Sequence, residues 1–193
     1  MNIKRFNELI NSSYCHKLSQ ITSEWKLFLE FAESYFKNRA IEHPIIVEIG
    51  IGQGRQKQFY QELLNGKYIG IDISSNYSPD ICGDSNDIET VKRLEDKLEG
   101  KSIDLLFIDG DHSYEGVKRD YELYGKLTKH LVAIHDIDTE FYPPPCIMEV
   151  HRLWNEIKNK KINVPLVTFI KNDDIEWGWQ LGIGVMILEG VGL

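Results

Sequence analysis

Little in this chain suits an oxidising compartment, a membrane or a nucleic acid. The 193 residues hold three cysteines, Cys15, Cys82 and Cys146, scattered and without a C-x-x-C pair. That excludes a disulfide framework and a thioredoxin-like redox motif. No apolar run approaches the ~20 residues that span a bilayer. The opening M-N-I-K-R-F-N-E-L-I lacks the apolar core and cleavage site of a signal peptide, so a reduced cytoplasm is the expected setting. Net charge is −8 and no basic run offsets it, which disfavours tight binding to nucleic acid. Proline is scarce, and three of the six prolines are consecutive, Pro143 to Pro145. They predict a stiff extended loop over Ile137–Pro145 rather than a helix. No internal repeat or low-complexity segment is present.

What is present is alternation. At this length the chain is expected to form one domain, burying ~70% of its unfolded surface. Residues 1–44 read as a helical segment. Ile3, Phe6, Leu9 and Ile10 recur at helical spacing, and Trp25, Phe28, Leu29, Ala32, Tyr35 and Phe36 form a stronger stripe capped by Thr22 or Ser23. That stripe either packs on the sheet or acts as a lid. Apolar runs at Ile45–Ile49, Tyr68–Ile73, Asp80–Cys82, Ile103–Ile108 and Leu131–Ile134 read as strands, with Lys129-His130 as the turn before the last. Helical patterns separate them: one starting near Gly54 and ending at Asn65-Gly66, one from Ile88 to Leu98, and one capped by Ser113 with Val117, Tyr121, Tyr124 and Leu127 inward. A helix through Ile147, Val150, Leu153, Trp154 and Ile157 follows. The strands Val164–Ile170 and Ile183–Leu188 close the chain, with Asn172-Asp173-Asp174 as a turn and Trp177-Gly178-Trp179 between them. The expectation is an α/β, Rossmann-like, doubly wound sheet of seven strands, mostly parallel, with an antiparallel edge hairpin and helices on both faces.

In such a sheet ligands bind at the carboxyl ends of the strands. The polar residues ending the apolar runs are Glu48, Asp72, Asp84, Asp109 and Asp136. Singly each reads as a solvated loop residue or a cap; together with a glycine turn they read as a site. The turn carries Gly50, Gly52 and Gly54 at alternate positions, two residues after Glu48. A dinucleotide fingerprint wants G-x-G-x-x-G and a pyrophosphate at the helix N-terminus. A carboxylate before G-x-G-x-G suits a ligand with positive charge, such as the ammonium and sulfonium of S-adenosylmethionine.

V-E-I-G-I-G-Q-G resembles the first motif of the class I S-adenosylmethionine-dependent methyltransferases, and I-G-I-D resembles their second, acidic motif. Cys82-Gly83-Asp84-Ser85 is similar to their adenine-contacting segment. The resemblance implies a methyltransferase domain over 45–193, with Gly50, Gly52 and Gly54 cradling the cofactor, Asp72 on the ribose hydroxyls, and Asp84 and Ser85 near adenine. Glu48 would support the turn or the amino group. F-I-D-G-D-H-S-Y-E-G-V-K-R-D followed by L-V-A-I-H-D-I-D resembles a small-molecule O-methyltransferase branch, similar to the catechol and macrolide-sugar types. That resemblance implies a divalent metal, Mg2+ first, on Asp109 and Asp136. Asp109 would also face the cofactor, and His112 would be the catalytic base. The first member of the acidic pair is here His135, so either it does not ligate, or Asp138 or Asp111 supplies an oxygen, or no metal is held. A small-molecule acceptor is the expected partner, with a homo-oligomer left open. Rival readings are a silent cofactor-binding relative, a cephalosporin-hydroxylase-like relative and, less suited by the glycine spacing, a nicotinamide-dependent oxidoreductase. Trp177 and Trp179 are weak candidates for the pocket mouth.

Overall fold

The apolar run after Pro44 forms Ile45–Ile49 (β1), and the glycine turn leads into Gln56–Leu63 (α3), preceded in the chain by Ile3–Asn11 (α1) and Thr22–Asn38 (α2). Lys67–Asp72 (β2), Ile81–Cys82 (β3), Ile88–Leu98 (α4), Ile103–Ile108 (β4), Tyr114–Tyr124 (α5) and Thr128–His135 (β5) follow, then Val150–Asn159 (α6), Leu166–Phe169 (β6) and Ile183–Ile187 (β7). The computed structural model describes residues 1–12, 20–140, 148–160, 164–170 and 181–188. The prolines of the expected 137–145 loop, the turn at Asn172 and Trp177-Gly178-Trp179 lie outside the described residues.

One sheet runs β3-β2-β1-β4-β5-β7-β6. β1 pairs in parallel with β2 and β4, and β4 with β5, while β7 runs antiparallel to both β5 and β6. Because side chains alternate across a strand, each strand feeds two cores. Val47, Ile49, Leu106, Ile108, Val132 and Ile134 pack under α4, α5 and α6. Ile46, Leu105, Phe107, Leu131 and Ala133 pack under α1, α2 and α3. The stripe on α2 is therefore core: Trp25 meets Phe28, Phe59, Tyr60 and Phe107 with ring centroids 5.4–6.0 Å apart.

Several boundaries differ from the sequence reading. β5 begins at Thr128, so Lys129 and His130 lie in the strand; Thr128 pairs with Ile103 across the ladder. No side chain caps α2: the Ile21 carbonyl accepts from Trp25 N–H at 2.9 Å, and Thr22 and Ser23 are inside the helix. α6 starts at Val150. On α5, Asp120 is among the buried residues, whereas Tyr121 is half-buried.

Candidate functional site

The order reverses between β1 and β4, so the loops after these strands diverge and leave a crevice at their carboxyl ends. A cavity of about 660 Å³ fills it, lined by Gly50, Gly52, Asp72, Asp84, Ser85, Asp109, His112 and Asp136 among others. Ile49, Ile51, Ile71 and Ile73 give it apolar walls, and Met148 and Leu181 close the side nearest Asp136.

The glycine turn is built by backbone conformation. Gly50, Gly52 and Gly54 have φ of +79°, +51° and +69°, a region that costs side-chain-bearing residues. Gly50 is also held close: its N–H donates to Ile71 O at 2.9 Å, and a Cβ on it would collide with the Asp109 carbonyl and sit 2.6 Å from Gly110 Cα. Asp72 ends β2 and ties the turn down. Its Oδ2 accepts from Gly52 N–H at 3.1 Å and its Oδ1 from Ser74 N–H at 2.8 Å. Asp84 Oδ1 accepts from Asn86 N–H at 2.9 Å, which folds the short loop after β3 against the cavity.

Not every expected residue reaches the cavity. Glu48 is 0% exposed and outside the lining. Its side chain points to the α1–α3 face of the sheet, where the Tyr68 hydroxyl donates to it. Burial, more than the nearby Asp109 and Asp72 charges, pushes its carboxyl up to about 8. Gly54 is buried behind the turn, with its N–H donating to Ile51 O.

At the ends of β4 and β5 four side chains converge. His112 Nε2 lies 2.8 Å from Asp136 Oδ2 and 3.5 Å from Asp109 Oδ1. His135 Nδ1 lies 3.1 Å from Asp109 Oδ1 and 3.2 Å from Asp136 Oδ1. Asp136 sits at φ +60°, an uncommon conformation for a non-glycine residue, and this turns its carboxylate inward. Its close contacts with the Asp109 and Asp136 carboxylates raise the His112 imidazole to about 10, so in this arrangement it is a cation at neutral pH. Burial opposes charge on His135, yet Asp136 and Asp109 push its imidazole well up. Burial likewise opposes charge on Asp136, but His135 and His112 hold its carboxyl well below the usual carboxylate range.

The donor set suits a divalent cation. One ligand atom each from Asp109, His112 and Asp136 lies within 4.8 Å of the others. Asp136 Oδ1 and His112 Nε2 are buried with no well-formed hydrogen bond, although each faces an oppositely charged neighbour. With His112 as a third ligand the set would suit Mn2+ or Fe2+, which accept nitrogen more readily than Mg2+; with the two carboxylates alone it suits Mg2+. Of the residues that could have replaced the missing acid of the pair, Asp111 turns instead to Ser113 N–H at 2.8 Å, and neither it nor Asp138 joins the cluster.

Three further residues at the site were not singled out from the sequence. Gln20, from the segment before α2, donates to Asp109 Oδ2 at 2.8 Å, and Gln56, at the start of α3, donates to Gln20 Oε1 at 2.9 Å. The position of Gln56 just after the glycine turn was a usable signal; Gln20 gave none. Asp120, 0% exposed, accepts from Asn86 Nδ2 beneath the loop that carries Ser85. An acid on the inner face of an amphipathic helix was the signal for it.

The strand order, the crevice with a glycine turn and an acidic β2 end, and the charged cluster on β4 and β5 together define a class I, Rossmann-like methyltransferase fold. Residues 47–137 match the family model described as a methyltransferase domain. Among solved structures, the chain is similar to the MycE methyltransferase from the mycinamycin biosynthetic pathway, in complex with Mg, SAH and mycinamycin VI. The identity is 17% and the TM-score 0.62, covering 94% of this chain and 53% of that one, so this chain spans about half the length of MycE. It is also similar to the O-methyltransferase TomG from Streptomyces achromogenes, in complex with SAM (13% identity, TM-score 0.65, 98% and 100% covered). An O-methyltransferase from Bacillus cereus in complex with SAH shares 14% identity and a TM-score of 0.57, with 84% and 81% covered. At these identities the likeness is one of fold. A search of curated proteins gives no match. Among the described residues no helix is long and apolar enough to cross a membrane.

Proposed function

We propose that this chain transfers the methyl group of S-adenosylmethionine to a hydroxyl of a small molecule, assisted by a divalent cation, in a reducing cytoplasm. The observation that carries the reading is a single cavity shared by the glycine turn, Asp72 and the Asp109–His112–Asp136 cluster. The residues divide the work. The positive-φ turn lets the methionine part of the cofactor approach the backbone, and Asp72 takes the ribose hydroxyls while keeping the turn in place. Asp84 and Ser85 face the adenine, with Ile73, 75% exposed, as an apolar surface beside it. Glu48 supports the turn from behind the sheet rather than by contact. Methyl transfer from a sulfonium is an in-line displacement, so holding nucleophile and methyl in line supplies much of the rate.

His112 is the base. In the arrangement described above it holds a proton at neutral pH and cannot take another. Asp109 and Asp136 would hold a divalent cation, which would supply Lewis acidity to the acceptor oxygen and offset the charge that keeps that proton on His112. The neutral imidazole then accepts the hydroxyl proton.

Calorimetry with S-adenosylhomocysteine, and transfer of a labelled methyl from S-adenosylmethionine to catechol and sugar acceptors, test this reading. The wild type is expected to bind S-adenosylhomocysteine in the micromolar range, and Asp72→Ala to weaken it about tenfold or more. Asp109→Asn and His112→Ala are expected to abolish transfer while holding S-adenosylhomocysteine within a few-fold. Transfer that survives chelation removes the cation from the scheme. Binding without transfer in the presence of Mn2+ favours a silent relative, the reading that His135 in the ligand pair supports.

A further inference from the structure

We propose that Gln20 and Gln56 form a positioning relay linking occupancy of the cofactor cavity to the set of the Asp109 carboxylate, and through it to cation affinity. The two side chains are 3% and 4% exposed. Asp109 Oδ2 accepts from Gln20 Nε2 at 2.8 Å, and Gln20 Oε1 accepts from Gln56 Nε2 at 2.9 Å.

The relay has a fixed polarity. An ionised carboxylate only accepts hydrogen bonds, so Gln20 must present its NH2 to Asp109. Its carbonyl then faces Gln56, which must donate in turn. Gln56 Oε1 is left outside the relay, on a residue that lines the cavity beside Gly50 and Gly52. A carbonyl oxygen there suits a cationic donor such as the ammonium of the cofactor's methionine part.

At the other end, Gln20 occupies Asp109 Oδ2 and leaves Oδ1 to face His135 and His112. Gln20 thus selects which Asp109 oxygen serves the cation cluster. A ligand that orders Gln56 orders Gln20, and a restrained Asp109 binds a cation better. Hydrogen-bond partners of metal ligands typically set affinity by about 10–100-fold. Gln20 lies outside the matched stretch 47–137 and Gln56 inside it, so the N-terminal segment supplies one half of this device.

The proposal rests on the reading of the cavity and cluster given above, and titrations with Mn2+ and S-adenosylhomocysteine separate the two. In the wild type each is expected to tighten the other, by the same factor in both directions. Gln20→Met and Gln56→Met keep side-chain length and remove the amide. Gln20→Met is expected to weaken Mn2+ about tenfold, keep S-adenosylhomocysteine within twofold, and bring the mutual factor to one. Gln56→Met is expected to remove the mutual factor as well, and the double variant to bind Mn2+ no more weakly than Gln20→Met, because Gln56 acts through Gln20. If Gln20→Met does not fold, Gln56→Met carries the test alone. A wild type that binds both ligands, with variants that retain the mutual factor or whose losses add, overturns the relay and spares the cavity reading. A wild type that binds neither ligand overturns both.

Discussion

Burial pushes the Glu48 carboxyl up to about 8, because no water reaches it and the Tyr68 hydroxyl only partly replaces hydration. Asp120 behaves alike: burial lifts its carboxyl to about 7, with Asp111 and Asp84 adding to the shift and Ser85 opposing it. In both, the folded state holds the proton more tightly than the unfolded chain. The stability they contribute is therefore full below the ordinary carboxylate values of 4.5 and 3.8, and is lost as pH rises toward about 8 and about 7. Glu48→Gln keeps the acceptor for Tyr68 and removes the charge. It is expected to stabilise the protein at pH 8.5 by on the order of 1–3 kcal/mol and change little at pH 5. Asp120→Asn is expected to act in the same direction. Thermal unfolding between pH 5 and pH 9 reads both, and an unchanged pH slope in Glu48→Gln would show that the carboxylate is hydrated. The sequence placed Glu48 at the end of an apolar run but could not say which face of the sheet it would take. Its two-residue offset from Ile46 puts it on the α1–α3 side, away from the cavity. Asp109, Asp136 and Asp72 stand at or beyond their strand ends, where face no longer decides access, and so they were readable.

At the scale of elements, legibility followed burial. β1 and β4 could be bounded to the residue because strands covered on both faces read as largely apolar runs, interrupted here only by Glu48 and Asp104 and closed by Pro44 and Asp109. β5 could not, since its first residues, Thr128 to His130, are polar and reach past the cores; there His130 lies against Tyr35 and Asp104 instead. The turn between β1 and α3 makes the sharpest demand on sequence. Gly50 and Gly52 share a positive φ, but only Gly50 is crowded, by the Asp109 carbonyl and Gly110; nothing lies within 4 Å of a Cβ on Gly52. Gly52→Ala is expected to cost about 1 kcal/mol, the price of the conformation alone. Gly50→Ala adds a clash between two loops and is expected to cost about 3–5 kcal/mol. It is also expected to displace Asp109. Urea unfolding of the two variants orders them, and equal midpoints would mean the β1 and β4 loops separate freely.

At the scale of the whole molecule, the stretch that resembles a known domain and the material that completes the fold are different parts of the chain. The matched residues 47–137 hold the glycine turn, Asp72 and the charged cluster. Gln20, Met148 and Leu181 complete the site from outside that stretch. Their sequence surroundings carry no motif, since topology alone brings them to the crevice, and they were not readable. The N-terminal segment is tied in twice more. Glu24, 0% exposed on α2, accepts from Gly182 N–H at 3.0 Å, beside the Leu181 that walls the cavity. Trp25, Phe28, Leu29 and Ala32, all 0% exposed, cover one face of the sheet. We therefore propose that residues 1–44 are part of one cooperative unit rather than a lid. A chain of residues 45–193 would present Phe59, Tyr60, Leu105 and Phe107 to water without the helix that buries them. Removing the Trp25 side chain alone should cost about 3–5 kcal/mol, a large share of the 5–15 kcal/mol typical of a whole domain. Trp25→Ala is therefore expected to lower the unfolding midpoint strongly yet remain a single transition. The truncated chain is expected to bind a hydrophobic dye, lose its near-ultraviolet dichroism and unfold without a cooperative step. A lid predicts the opposite: removing it would leave the transition intact and change only access to the cavity. A truncated chain that melts cooperatively near the full-length midpoint would establish the lid and confine Gln20 to a gating role.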